Sequence, residues 1–340
     1  MANEASLTDT KLLAKDLIDT AFSKIKDLGA GNEASRLFPN GIASLDLEIE
    51  SGGAGKSDFR VSLRLGATLK AGPAIVSTTE ADSGDDASIS FNAEGHHVIA
   101  LIAMQDLQAR FPATATTLQG LLDSVNRTLL EAATFPDDIR MSQPQTKPFH
   151  FVDIPFQDGG PINPPLPDAP HVISKIAEFT AFLTGGGGTD QQKVDALSWL
   201  IHLFGDIHQP LHCIDHVSDD HPGGDRGGNS FKLRGKARNL HSLWDSSVDF
   251  TNADEEELAP SIMQEHNRAG LADDLDVSDV EAWARTSFKL AKKFAYNLQE
   301  DNSNPPKPSV AYLETANKIG RRQAALAGYR LSDRLKTIFG

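Results

Sequence analysis

Two stretches of this chain set an imidazole and a carboxylate four residues apart: His202-Leu-Phe-Gly-Asp206 and His241-Ser-Leu-Trp-Asp245. At that spacing both side chains lie on one face of a helix, a turn apart, and such a pair can grip a metal ion such as zinc. Between them stands His208-Gln-Pro-Leu-His212. All eleven histidines fall between His96 and His266, so any metal chemistry belongs to the later part of the chain. A single HxxxD pair is a weak signal, because both residues also suit a solvated helix face. Here it recurs, in company with GHHVIALIA at 95–103, ATFPDDIR at 133–140 and FHFVDIP at 149–155, and the set is far more specific than its parts.

The elements that must carry these residues are mainly helical. Apolar residues recur at helical spacing over 97–108, 118–134, 173–183, 191–204, 282–299 and 310–338, interrupted by Pro- and Gly-rich loops such as QDGGPINPPLPDAP and TGGGGTD. The first 90 residues read differently. Leu12, Leu13, Leu17, Ile18, Phe22 and Ile25 mark an amphipathic helix over 7–28. Leu45, Leu47 and Ile49 then alternate with Asp46 and Glu48, and Phe59, Val61, Leu63 and Leu65 alternate with Arg60, Ser62 and Arg64. Two alternating runs around SGGAGKSD predict a β-hairpin whose charged faces suit cross-strand pairing. The fold class expected is therefore mainly α, a helical domain over 91–340 preceded by a small α+β module, helix plus hairpin, over 1–78, with an acidic linker at 79–90.

Composition sets bounds. With 47 acidic against 32 basic residues the formal net charge is -15, which repels nucleic acid and anionic membranes at long range, so binding a polyanion requires a local positive source such as bound cations. The single cysteine, Cys213, excludes an internal disulfide framework and reads as a small buried residue. No apolar run approaches the ~20 residues of a membrane span, and the N-terminal stretch mixes Lys and Asp through its apolar positions, unlike a secretory signal.

In their order and flanks these motifs resemble the S1/P1 nuclease family, zinc-dependent enzymes that cut single-stranded nucleic acid to 5′-phosphate products; AALAGYRLSDRL near the C-terminus is similar to the family's last helix. The resemblance covers about residues 91–338 and implies a phospholipase C/P1 nuclease-like helical fold. It implies three zinc ions: one on Asp137, His150, His202 and Asp206, one on His212, His241 and Asp245, and a third on His96, on Asp206 as a bridge, and on a residue matching Phe91. It further implies a metal-bridged hydroxide as nucleophile, Asp206 and Arg140 as catalytic residues, Phe151 stacking on a base, Asp153 and Asn229 contacting base edges, and it allows a 3′-nucleotidase activity. The loop IDHVSDDHPGGDR leading to Asn229 looks longer than the family's. The family is usually exported, whereas this chain shows no signal; stable membrane association is not expected.

Other histidines read as packing or unassigned: His97, His208, His171, His216, His221 and His266, with Trp199 and Trp244 as core anchors. Two rival functions remain open, a zinc-dependent phospholipase C-like phosphodiesterase and a non-catalytic zinc-stabilised binding module. The family's N-terminal amine is the one ligand missing, because Phe91 is internal and its nitrogen is an amide. Residues 1–90 are therefore expected to be a separate module or a pro-segment, with cleavage after Ser90 creating the amine. Intact mass read together with metal content tests this: the uncleaved chain should hold its third zinc weakly, and three tightly held ions on the full-length chain would refute it.

Overall fold

The computed structural model describes residues 44–51, 59–66, 93–250 and 253–340. The expected helix over 7–28, the linker over 79–90 and Phe91 lie outside the described residues. β1 (Ser44–Ser51) and β2 (Phe59–Gly66) pair antiparallel as expected, in a register that sets Asp46 opposite Arg64 and Glu50 opposite Arg60, with Leu47 opposite Leu63. The hairpin and the helical part fall in separate units, divided between Ser83 and Gly84.

The helical part begins with α1 (Ala93–Arg110), α2 (Pro112–Asp123) and α3 (Leu129–Ile139). One helix was expected over 118–134; the chain instead breaks at SVNRT. Asn126 takes a left-handed φ of 56°, which Asn tolerates better than most residues. Thr128 then caps α3, its hydroxyl accepting from the Glu131 amide at 3.2 Å while the Glu131 carboxylate accepts from the Thr128 amide at 2.7 Å. A 3-10 turn at Pro144–His150 and a two-residue strand β3 (Pro155–Phe156) follow. α4 (Val172–Thr184) starts on His171, whose Nδ1 accepts from the Ser174 amide. α5 (Asp190–Asp206) starts on a Thr189/Gln192 capping box.

Every residue from Ala196 to Asp206 is buried, so α5 is an axis sheathed on all sides. α3 and α4 pack on it, and α1 packs on α3 and on the long C-terminal helix α10 (Val310–Phe339). After α5, a 3-10 turn at Pro210–Cys213 leads to β4 (Asp215–His216), which pairs parallel with β3. Val152 N donates to His212 O at 2.8 Å and Asp215 N to Ile154 O at 3.0 Å. These bonds lay the FHFVDIP segment along the HQPLH segment.

α6 (Leu240–Asp245) and α7 (Glu255–Glu265), neither singled out from periodicity, follow, then α8 (Ala272–Leu275), α9 (Val280–Leu290) and α10 (Val310–Phe339). The helix expected over 282–299 ends early, in a π turn at Ala291–Ala295. Tyr296 leaves the helix there and donates its hydroxyl to the fully buried Asp225 at 2.8 Å. Cys213, Trp199 and Trp244 are buried as expected. Among the described residues no helix is long and apolar enough to cross a membrane.

α10 approaches α1 at Gly328, where a Cβ would come 2.7 Å from Ile102 Cβ and 3.1 Å from Ile99 O. Gly328→Val should therefore lower the unfolding free energy by ~1–3 kcal/mol, the cost of overpacking outweighing a small gain in helix propensity. An unchanged denaturant midpoint would show that the two helices can part at this point without cost.

Candidate metal centre

Six elements deliver the imidazoles and carboxylates to one place. His202 and Asp206 come from the last turns of α5, with Nε2 and Oδ2 3.2 Å apart. His241 and Asp245 come from α6, with Nε2 and Oδ1 3.6 Å apart. Asp137 ends α3, His150 ends the first 3-10 turn, and His212 lies in the second. His96, on α1, stacks flat on His202 with ring centroids 3.7 Å apart. Gly205 makes that stack possible, since a Cβ there would fall 2.7 Å from His96 Nδ1.

Three of the histidines have one nitrogen committed. Nδ1 of His202 lies 2.8 Å from Ala133 O, Nδ1 of His212 3.0 Å from His150 O, and Nδ1 of His241 2.8 Å from Gly227 O. A carbonyl only accepts, so each Nδ1 carries a proton and donates it, which leaves each Nε2 facing the carboxylates as the nitrogen able to take a proton or, once deprotonated, to bind a metal. Around Asp206 Oδ2 stand His150 Nδ1 at 3.0 Å and His202 Nε2 at 3.2 Å; those two nitrogens are 3.0 Å apart and lie 3.9 and 3.7 Å from Asp137 Oδ1. Tetrahedral bonds of about 2.0–2.1 Å place neighbouring ligand atoms about 3.3 Å apart, so these donors match the size of one cation. At the second cluster the His212 and His241 rings stack 5.0 Å apart. There His212 Nε2, His241 Nε2 and Asp245 Oδ2 are buried with no hydrogen-bond partner among the described residues. Buried orphans of this kind are costly, and a cation would satisfy all three. The groups His150/His202/Asp206, His212/His241/Asp245 and His96/Asp137/His202 could each hold a metal ion.

The electrostatics of the metal-free cluster agree with that use. Burial alone would depress His202, but the carboxylates of Asp206 and then Asp137 raise it to about 9. Burial opposes protonation of His212 too, and Asp206 with Asp245 raises it to about 10. Asp206 has burial working against its charge, yet His202 and His212 hold it well below the usual carboxylate range. His96, His150 and His241 are pushed down, by burial first.

Asp206 also reaches the remaining partners: Oδ1 lies 3.5 Å from His96 Nε2 and 3.2 Å from His212 Nδ1, so one carboxylate touches all three parts of the cluster. Arg140 caps α3 with its guanidinium 3.9 Å from Asp137 Oδ1. Phe151 and Asp153 are half-buried on the segment following His150. Burial first, then Asp215, raises Asp153 to about 7. Asn229 is half-buried and donates to Arg226 O at 2.9 Å. Its loop folds round Asp215, whose carboxylate accepts from the Arg226 amide at 2.8 Å; left-handed φ values of 60° at Arg226 and Gly227 shape the turn.

Spacing could not reveal Gln209, which donates to Asp245 Oδ1 at 2.7 Å and accepts from the Leu211 amide, or the carbonyls of Ala133 and Gly227. The Gln in HQPLH was its only trace. The unassigned histidines have local duties: His97 faces Glu255 at 2.8 Å, His221 faces Glu300 at 2.8 Å, His208 accepts from Arg330, and His216 stacks on Phe156.

Residues 91–340 match the family model described as S1/P1 Nuclease. Endonuclease 1 of Arabidopsis thaliana is 28% identical over a span covering 74% of this chain and 87% of that protein. Nuclease S1 of Aspergillus oryzae is 25% identical over 70% of this chain and 88% of its own length. Nuclease P1 of Penicillium citrinum is 26% identical over 67% of this chain and 80% of its own.

Because His202 and His212 sit above neutrality in the metal-free protein, loading at pH 7 should release about two protons per molecule, measurable by titration in weak buffer. Their raised values also fix a sign: the stability they contribute without metal is complete below pH 6.5 and is lost as pH rises through about 9 and about 10. Thermal unfolding of the chelated protein should therefore weaken from pH 7 to 10. A flat profile with no proton release would mean that both imidazoles are neutral.

Proposed function

The chain belongs to the S1/P1 nuclease family, and from that premise we propose that it is a zinc-dependent endonuclease, hydrolysing phosphodiester bonds of single-stranded DNA or RNA to 5′-phosphate products. The observation that carries the reading is the set of Nε2 atoms fixed by backbone carbonyls at Nδ1 and turned toward Asp206 and Asp245. Asp137, His150, His202 and Asp206 would hold one zinc, and His212, His241 and Asp245 a second. His96 and Asp206, joined by Phe91 once its amine is free, would hold a third. Imidazole nitrogen with carboxylate oxygen is a donor set typical of zinc. When bound, such ions supply Lewis acidity toward a phosphoryl oxygen and make hydroxide available near neutrality.

The chain's own residues do the rest. Arg140 is placed to pair with a phosphate oxygen and with the charge that grows on it. Phe151 offers a ring to an unpaired base, which a duplex keeps inside its stack, so single strands are favoured. Asp153, raised to about 7, can offer either a donor or an acceptor to a base edge close to neutral pH. Asn229 brings an amide to the same task. Gln209 keeps the Asp245 carboxylate oriented.

Both rival readings have less support. The relatives that match over most of their length are nucleases by name. A purely structural metal site has no need for the half-exposed Arg140 and Phe151 beside it. Zinc-loaded protein should degrade single-stranded DNA faster than duplex and leave 5′-phosphates. Asp206→Asn should cut kcat by about a thousandfold or more together with zinc content, while Phe151→Ala should mainly raise KM. Turnover of phosphatidylcholine vesicles without nucleotide release would reverse the assignment in favour of a phospholipase. Cleavage that survives Asp206→Asn would trace the activity to a contaminant.

A further inference from the structure

Outside the imidazole cluster, α10 contributes two arginines, Arg330 and Arg334, to a pocket of about 130 Å³ that also involves Ser278, Trp283, Asp333 and Thr337. The pair stands one helical turn apart, where like charges repel. Arg330 is 8% exposed. Its Nη1 donates to His208 Nε2 and its Nη2 to Asp274 O, both at 2.7 Å, while its buried Nε has no hydrogen-bond partner among the described residues. Arg334, half-buried, makes one long hydrogen bond, 3.4 Å to Thr180 Oγ1, and its guanidinium lies 5.9 Å from the centre of the Phe204 ring. Burial lowers both groups, Arg330 to about 10.

Neither arginine has a carboxylate within ion-pairing distance among the described residues, although the chain has a net charge of -15. Arg110, Arg127, Arg268, Arg285, Arg321 and Arg322 each have a carboxylate oxygen within 3.0 Å. The acids near the pocket are already engaged. Asp333 is held by Arg110 at 2.8 Å and Arg268 at 2.7 Å, and Asp274 by Arg322 at 2.6 Å. One buried and one half-buried guanidinium, whose nearby acid Asp274 is already paired with Arg322 and whose other support is the Trp283 ring 4.8 Å beneath Arg330, are expensive to hold together, and an anion in the pocket offsets that cost.

We propose that this pocket binds a phosphate group, free or as a monoester, between Arg330 and Arg334, with the hydroxyl of Ser278 as a further donor; the Thr337 hydroxyl on the pocket wall already donates to Asp333 O at 3.0 Å. Guanidinium matches the geometry of phosphate oxygens better than any other side chain does. The volume admits the oxyanion and excludes a whole nucleotide, since sites for drug-sized ligands need about 300 Å³ or more. The nucleoside of a monoester therefore stays outside. The site is distinct from the metal cluster and does not depend on the proposed nuclease activity.

The test follows the three indole N–H resonances of full-length, zinc-loaded protein labelled with 15N-tryptophan. Trp283 Nε1 donates to Val277 O at 2.7 Å on the pocket wall, whereas the Trp199 ring, 5.4 Å from that of His150, reports on the metal cluster. Inorganic phosphate, a nucleoside 5′-monophosphate and chloride at equal ionic strength are titrated separately. A saturable Trp283 shift with phosphate alone, or with phosphate and the monophosphate alike, supports the site. Arg334→Gln should weaken that response by about tenfold or more, Arg334→Lys should restore part of it, and the Trp199 response and nuclease rate should stay unchanged in both. The proposal is overturned if Trp283 does not shift by ~10 mM phosphate. An equal shift with chloride, a shift with the monophosphate only, or an Arg334→Gln titration like that of the parent would also overturn it.

Discussion

One fully buried carboxylate organises this molecule. Asp206 lies within 3.5 Å of His96, His150, His202 and His212, using both of its oxygens. A lone carboxylate removed from water carries a penalty of several kcal/mol or more, so the surrounding chain must supply positive charge wherever this one is buried. In the metal-free protein protonated imidazoles do so, and the same nitrogens belong to groups that could hold a metal ion. The centre is thus a place where charge has to be balanced whichever state the protein is in, and the choice between protons and metal ions is set by pH and metal supply.

That demand explains the architecture around it. A helix buried on every side is normally apolar throughout, and α5 carries His202 and Asp206 only because neighbours bring them matching polar groups. Three of the rings, those of His202, His212 and His241, are each oriented by a backbone carbonyl from a different element: Ala133 in α3, His150 in a 3-10 turn, Gly227 in a left-handed turn. A small residue sits where crowding would displace a ring of the cluster, as Gly205 does beneath His96. Stability and function are therefore coupled, since the hydrogen bonds that hold the loops in place also fix which nitrogen faces the centre.

The overall charge of -15 is awkward for a family that acts on polyanions. The resolution is local. The centre gathers groups that could hold several divalent cations in a small volume, with Arg140 beside them, and such a focus can draw a phosphodiester against a repulsive background. Elsewhere among the described residues most arginines face an acid within 4 Å, which makes Arg330 and Arg334 on α10, with none that close, stand apart from the general pattern.

Much of this could be read directly from the chain. Helical spacing is a local property, so His202 with Asp206 and His241 with Asp245 could be placed on common faces, and alternation marked two strands of a hairpin, though not their register. Local rules also erred locally: the helix expected over 118–134 breaks at Asn126 and Thr128, and the one over 282–299 stops where Tyr296 turns to Asp225. What no local rule contains is distance between elements remote in sequence. The meeting of His96, Asp137, His150 and His212 around Asp206, the choice of ring nitrogen by carbonyls up to 69 residues away, and the bond from Gln209 to Asp245 exist only once the helices pack. Sequence fixed residue type and periodicity; packing alone decided which of these groups lost water together, and that shared desolvation is what gives them their chemistry.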